Sequence, residues 1–197
     1  MAKAIFVKKA QKPNAVVTQD DIDRANAGEV GAASYYWWSV KSAYSSYKRF
    51  SKTQPKASDL TQSEYWSAIY GIQEDVDGAD EAFDDLESFR EDVAQRVREL
   101  GEECREKFDN LPEGFQQGST GELLEQRADS CEGAADEIEG LSVPEIDDFD
   151  GVDDILEEPD EGTTERATWD DALEEWKNEK SAEFIDEIRD ILSNIEG

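Results

Sequence analysis

The chain has 197 residues, of which 50 are acidic and 20 basic, giving a formal charge of −30 with no histidine. That length allows one domain, or a small domain with an extended appendage. So much negative charge excludes a grip on nucleic acid or anionic lipid except through a local basic patch, because the surface as a whole repels both.

Leu, Ile, Val and Phe make up about a fifth of the residues, near the composition at which packed cores give way to disorder, whereas ten per cent of the chain is aromatic. Trp and Tyr supply large burial per side chain, so helices with narrow apolar seams are expected rather than a thick core. The charge is also uneven. Residues 1–56 carry ten bases and four acids, and residues 57–197 carry ten bases and 46 acids. An excess confined to one part of the chain points to a task for that part.

Residues 1–17 mix the apolar Ile5, Phe6, Val7, Val16 and Val17 with Lys3, Lys8, Lys9 and Lys12 around a Pro13–Asn14 turn signal. They predict a short basic arm or a small hairpin. Thr18 or Asp20 is placed to cap a brief helix that stops near Gly28. The stretch from Glu29 to Phe50 is rich in aromatics, and Trp37, Val40, Tyr44 and Tyr47 repeat at 3–4–3 spacing, which predicts one face of a helix. Pro55 marks a break.

Thr61 and Glu64 have the spacing of a capping box. A heptad seam follows through Ile69, Ile72, Val76, Ala79, Phe83, Leu86, Arg90, Val93, Val97, Leu100, Cys104, Lys107 and Leu111. Six heptads at a strict seven-residue period predict a helix that supercoils against a partner helix. Roughly 45 residues at 1.5 Å each would span about 65–70 Å. Gly71, Gly78 and Gly101 each cost about 1 kcal/mol relative to Ala within it. Leu111-Pro112 ends the helix, Ser119 and Glu122 form a second capping box, and Leu124, Ala128, Cys131, Ala135 and Ile138 continue a seam of smaller residues. Residues 143–165 predict an acidic linker, with ten acids between Glu145 and Glu161. Thr168 and Asp171 suggest a cap for a last helix carrying Trp169, Leu173, Trp176, Phe184, Ile185, Ile188, Leu192 and Ile195.

The expected architecture is therefore mainly α: a long antiparallel α-hairpin, coiled-coil-like, with additional packed helices and a short basic N-terminal arm. The expected divisions are a basic, aromatic-rich region at 1–57, the acidic hairpin at 58–142, the linker at 143–165 and a C-terminal helix at 166–197. No run approaches the ~18 apolar residues of a membrane span. Residues 1–9 lack the apolar stretch of a signal peptide. A soluble, cytoplasmic protein is expected. Cys104 and Cys131 fall on seams and are expected as small buried hydrophobes, not as a disulfide framework.

Little here points to catalysis. Without histidine the commonest general base, the Ser–His and Cys–His pairs and the usual zinc ligand are missing, and no glycine-rich phosphate loop occurs. Asp148, Asp150, Gly151, Asp154 and Glu157 partly match a calcium loop, but Ile146 fills the first ligand position. Asp75, Asp77, Gly78 and Asp84 match less well, with Gln73 there and a helical seam around them. Both are what chance produces among so many aspartates, and neither a metal nor another cofactor is expected.

The acidic row from Glu74 to Glu87 is more informative: Glu74, Asp75, Asp77, Asp80, Glu81, Asp84, Asp85 and Glu87, with no base among them. On one helix such residues face each other at about 5–6 Å and repel, where ordinary helix faces mix signs. A rigid hairpin bearing carboxylates on two sides approaches the charge spacing of duplex DNA, one per ~1.7 Å of axis. These eight, with Asp92, are the expected contact residues for a basic cleft. Asp147, Asp148, Asp150, Asp153 and Asp154 of the linker are secondary candidates, since acids interleaved with Ile146, Phe149, Val152, Ile155 and Leu156 suit a segment that folds on binding. Those apolar residues would equally suit packing on the hairpin.

From Leu111-Pro-Glu-Gly-Phe-Gln-Gln-Gly-Ser-Thr-Gly-Glu-Leu-Leu-Glu-Gln-Arg-Ala through Glu139, about 29 residues, the chain resembles a stretch found in uncharacterised acidic proteins of bacteriophages and mobile elements. The likeness implies an origin and carries no functional residue. The expected function is that of a non-enzymatic acidic protein which blocks a basic host nucleic-acid-binding protein, such as a restriction or other defence nuclease, by DNA mimicry. It would bind no duplex DNA or membrane itself, and a homodimer is compatible with the seam. One rival is a phage scaffold oligomerising through the heptads. The other is a module in residues 1–56 that binds single-stranded nucleic acid, given its interleaved bases and aromatics.

Overall fold

The computed structural model describes residues 2–41, 46–80, 82–152, 155 and 158–196. The chain is mainly α and divides into two compact units, Met1–Gly71 and Ile72–Gly197, with the boundary falling inside one helix. The charge divides with them. The first unit holds ten bases and six acids, and the second ten bases and 44 acids.

The first unit is built on a three-stranded antiparallel sheet, β1 (Ile5–Val7), β2 (Tyr35–Lys41) and β3 (Ser46–Ser51), in the order β1-β2-β3. Trp37 stands opposite Ile5 on one side and Phe50 on the other. This overturns two expectations. Ile5–Val7 of the basic arm form an edge strand, and the aromatic stretch supplies a pair of strands, not a helix. The physical reason lies in what covers the sheet. Strand neighbours point to opposite faces, and both faces of β2 meet apolar material. Tyr35 packs on the cluster of Ala10, Val17, Ile22 and Ala33, while Trp38, one residue past Trp37, is buried with its indole N–H donating to the Asp59 carbonyl at 3.1 Å. A strand apolar on both faces does not alternate in sequence, so its aromatics pass for a helical repeat. Tyr44, one of the four repeat positions, lies outside the described residues.

Helix α1 (Gln19–Asn26) starts as its sequence demands. The Thr18 hydroxyl accepts from the Asp21 backbone N–H, and the Asp21 carboxylate accepts from that of Thr18, a reciprocal cap. After the short α2 (Ala57–Leu60), α3 (Glu64–Asp77) begins two residues later than a cap at Thr61 would give. Ser63 takes the capping role, its hydroxyl accepting from the Trp66 N–H at 3.4 Å.

The second unit is helical: the end of α3, α4 (Leu86–Asp109), α5 (Glu113–Gln116), α6 (Ser119–Glu139) and α7 (Thr164–Ser193). The expected continuous helix from Ile69 to Leu111 is interrupted. α3 closes at Asp77, Ala82 is extended, and a 3₁₀ turn over Phe83–Asp85 leads into α4. Asp and Gly are weak helix formers, and Asp77, Asp80 and Asp84 would repel along one continuous face. A break at Gly78 removes that repulsion. Phe83, expected in the seam, instead packs on Trp176 of α7 with ring centroids 5.4 Å apart.

From Leu86 onward the seam holds. Leu86, Val93, Val97, Leu100 and Cys104 are buried. α6 lies antiparallel to α4, since Arg98 reaches Asp136 and Glu139 while Arg105 reaches Asp129 and Glu132. Ala128, Cys131, Ala135 and Ile138 form the buried face of α6. Arg90, the polar break in the seam, donates to the Leu141 carbonyl at 2.9 Å just beyond the end of α6. α7 starts at Thr164, capped by Thr163 rather than Thr168, and buries Trp169, Phe184, Ile185, Ile188 and Leu192, with Ile195 buried just beyond its end. The linker meets α7 at Phe149, which packs on Trp169 and Trp176 at 5.1 and 5.6 Å. Among the described residues, no helix is long and apolar enough to cross a membrane.

Candidate functional site: the acidic surface of the second unit

The expected row does not share one helix face. Glu74, Asp75 and Asp77 belong to the last turns of α3, Asp80 to the break, Asp84 and Asp85 to the 3₁₀ turn and Glu87 to α4. Glu81 lies outside the described residues.

Nor is the row free of bases in space. Asp75 accepts from Arg96 of α4 at 2.6 Å, and Arg96 also stands 3.7 Å from Asp92. Asp77 accepts from Arg189 of α7 at 2.6 Å. Lys177 comes within 4.0 Å of Asp84, and Arg90 within 3.9 Å of Glu87. Spacing along the sequence could not reveal these partners, which come from residues up to 112 positions away. The outward members are Asp80, Asp84, Asp85 and Glu87, with Asp84 and Glu87 at 81% and 73% side-chain exposure. Among the linker candidates, Asp147, Asp148 and Asp150 are exposed, and the Asp148 carboxylate accepts from the Glu145 N–H at 3.1 Å. Asp153 and Asp154 lie outside the described residues.

What unites the surface is the fate of its bases. Arg96 and Arg189 bridge helices, and so do Arg98 and Arg105, each spanning two carboxylates of α6. Arg166 holds Glu158 and Asp170, Lys107 pairs with Glu103 and Lys180 with Glu183. Nine of the ten bases of this unit thus stand within 4.0 Å of its own acids. Hydrogen bonds from Arg98 hold the Glu139 carboxyl below the usual carboxylate range, and the same contact raises the arginine. With ten bases against 44 acids, most carboxylates are left facing water.

A salt series separates the two electrostatic effects. The screening length falls from ~30 Å at about 10 mM salt to ~3 Å at about 1 M. With 44 acids against ten bases, screening should relieve more repulsion than it weakens attraction, so the helical unit should melt a few degrees higher in the stronger salt, followed by circular dichroism. A midpoint that falls instead would mean that the arginine clamps dominate the balance.

Burial pushes the Cys104 thiol up, away from reactivity. Among the described residues, no group of three or more His, Cys, Asp or Glu is placed to hold a metal ion.

One feature of the first unit escaped the helical reading of its sequence. Trp37 sits half-buried on the sheet with the Lys48 ammonium 4.1 Å from its ring centroid. Such a cation–π contact at an exposed site is worth about 0.5–1 kcal/mol. The run Tyr35-Tyr36-Trp37-Trp38, rich in strand-forming side chains, was the available signal.

No family model, curated protein or solved structure matches the chain.

Proposed function

We propose that this is a non-enzymatic binding protein whose acidic unit occupies the DNA cleft of a basic nucleic-acid-handling protein. A restriction or other defence nuclease of a bacteriophage host is the partner that the likeness of residues 111–139 favours. The observation that carries the proposal is the commitment of nine of the unit's ten bases to internal pairs, which leaves its surface negative. A cleft lined with Lys and Arg would meet carboxylates much as it meets phosphates, and counterions would leave both surfaces. The antiparallel α4–α6 pair supplies the elongated scaffold in this reading, a coiled-coil-like hairpin shorter than the unbroken seam would have made.

The scaffold alternative draws less support. Its apolar heptad positions Leu86, Val93, Val97, Leu100 and Cys104 are already buried inside a single chain, and little apolar stripe remains there for a second copy.

The test is duplex cleavage by a panel of restriction endonucleases with increasing amounts of the purified protein. Inhibition that is competitive with DNA and fades as salt rises is expected for at least one of them. No inhibition of any at low salt would sink the proposal, and inhibition unaffected by salt would contradict its electrostatic basis.

A further inference from the structure

We propose that the open half of the first unit's sheet, centred on Trp37, binds single-stranded nucleic acid by stacking a base on that indole. The inference concerns the basic unit alone and does not depend on the role of the acidic one. Cross-strand partners in an antiparallel sheet share a face. The register therefore places Ile5, Trp37, Ser39, Lys48 and Phe50 together. At the Tyr35 end this face is closed by the Ala10–Val17–Ile22–Ala33 cluster. At the other end Ile5 is 44% exposed, and Lys41 and Lys48 are exposed.

Next to the open end lies a recess of about 470 Å³, lined in part by Lys3, Ser39, Lys41, Thr61 and Gln62. None of its lining residues is acidic, although the chain has 50 acids. An indole beside a lysine-lined recess is a nucleotide's complement: a flat apolar surface for the base, with cations and hydroxyl or amide groups for the phosphate and sugar. Lys48 now covers the ring. It is a flexible, exposed side chain held there by a weak contact, so a base can displace it and leave its ammonium to the next phosphate. A duplex cannot use the face, because its bases are already stacked. Sequence preference should be slight, since every base has a π-face.

The test uses the full chain at low salt with three probes: an oligo(dT) of about ten nucleotides, within the span of known single-strand sites, an abasic oligonucleotide of the same length, and a duplex. Oligo(dT) should bind and change the tryptophan fluorescence, while the abasic strand and the duplex bind far more weakly. Trp37→Ala should weaken oligo(dT) binding by about ten- to a hundredfold, whereas Trp37→Phe retains most of it. Lys3→Ala with Lys41→Ala, both at exposed positions, should flatten the salt dependence and keep the preference for dT over the abasic strand. Should Trp37→Ala fail to fold, the abasic comparison and the double lysine variant decide. Absence of oligo(dT) binding, or equal binding of the abasic strand, overturns the proposal. An unchanged affinity in a folded Trp37→Ala protein does so too.

Discussion

Replacing Gly101 with leucine should lower the stability of the helical unit by about 3 kcal/mol, at the upper end of overpacking losses. A Cβ added there would meet the Cys131 Cβ at 3.0 Å and the Ala128 carbonyl oxygen at 3.2 Å. Neither neighbour can give way easily. Both belong to the buried face of α6, and Ala128, Cys131 and Ala135 have at most 1% exposure. Leucine would need room for three carbons more, so α4 and α6 would have to part and α6 would lose burial along its length. Read in isolation, Gly101 is a helix defect costing about 1 kcal/mol. In the fold it is the point of close approach, and that cost is offset by tight helix packing. Gly133, on the same helix as Cys131, is the internal control. Nothing lies within 4 Å of a Cβ built there, so Gly133→Ala should stabilise the unit by up to about 1 kcal/mol. Urea unfolding followed by far-ultraviolet circular dichroism measures both. The two units need not unfold together, so the helical signal should be compared with tryptophan fluorescence before a single transition is assumed. Equal effects of the two substitutions would show that the close approach is unimportant.

How far the fold could be read in advance depended on whether its causes were local. The Thr18–Asp21 cap is a contact between residues three apart, and its signature is complete in the sequence. The seam from Leu86 to Cys104 was legible because one face of α4 is buried and the rest is wet. The break at Gly78 was not, because Ala79 and Phe83 kept the heptad rhythm through it. Phe83 is apolar for a different reason, its contact with Trp176 on a helix more than 80 residues later. The sheet was missed because its coverage on two faces erased the alternation that identifies a strand. The site was legible in composition and not in geometry. Eight acids without a base promised unrelieved repulsion, yet Arg96 and Arg189 reach into that row from other helices.

The same pairs decide which substitutions can test the acidic surface. Asp75 and Asp77 hold α3 to Arg96 and Arg189, so reversing them would set like charges against each other and damage the fold along with any interface. Asp80, Asp84 and Glu87 face outward, with a base 4.0 Å from Asp84 and another 3.9 Å from Glu87. Asp80→Lys, Asp84→Lys and Glu87→Lys together change the local charge by six units and leave the arginine bridges to Asp75 and Asp77 in place. Inhibition of the susceptible endonuclease should weaken by about a hundredfold, or ~2.8 kcal/mol, since like charges brought together in an interface cost several kcal/mol. The loss should fall mainly on the association rate and shrink as salt rises, because steering acts over the screening length. Helicity should stay as it is. If the triple variant inhibits as well as the parent protein while keeping its fold, the row does not touch the enzyme, and the contact passes to exposed linker acids such as Asp147, Asp148 and Asp150, where the same reversal can be made.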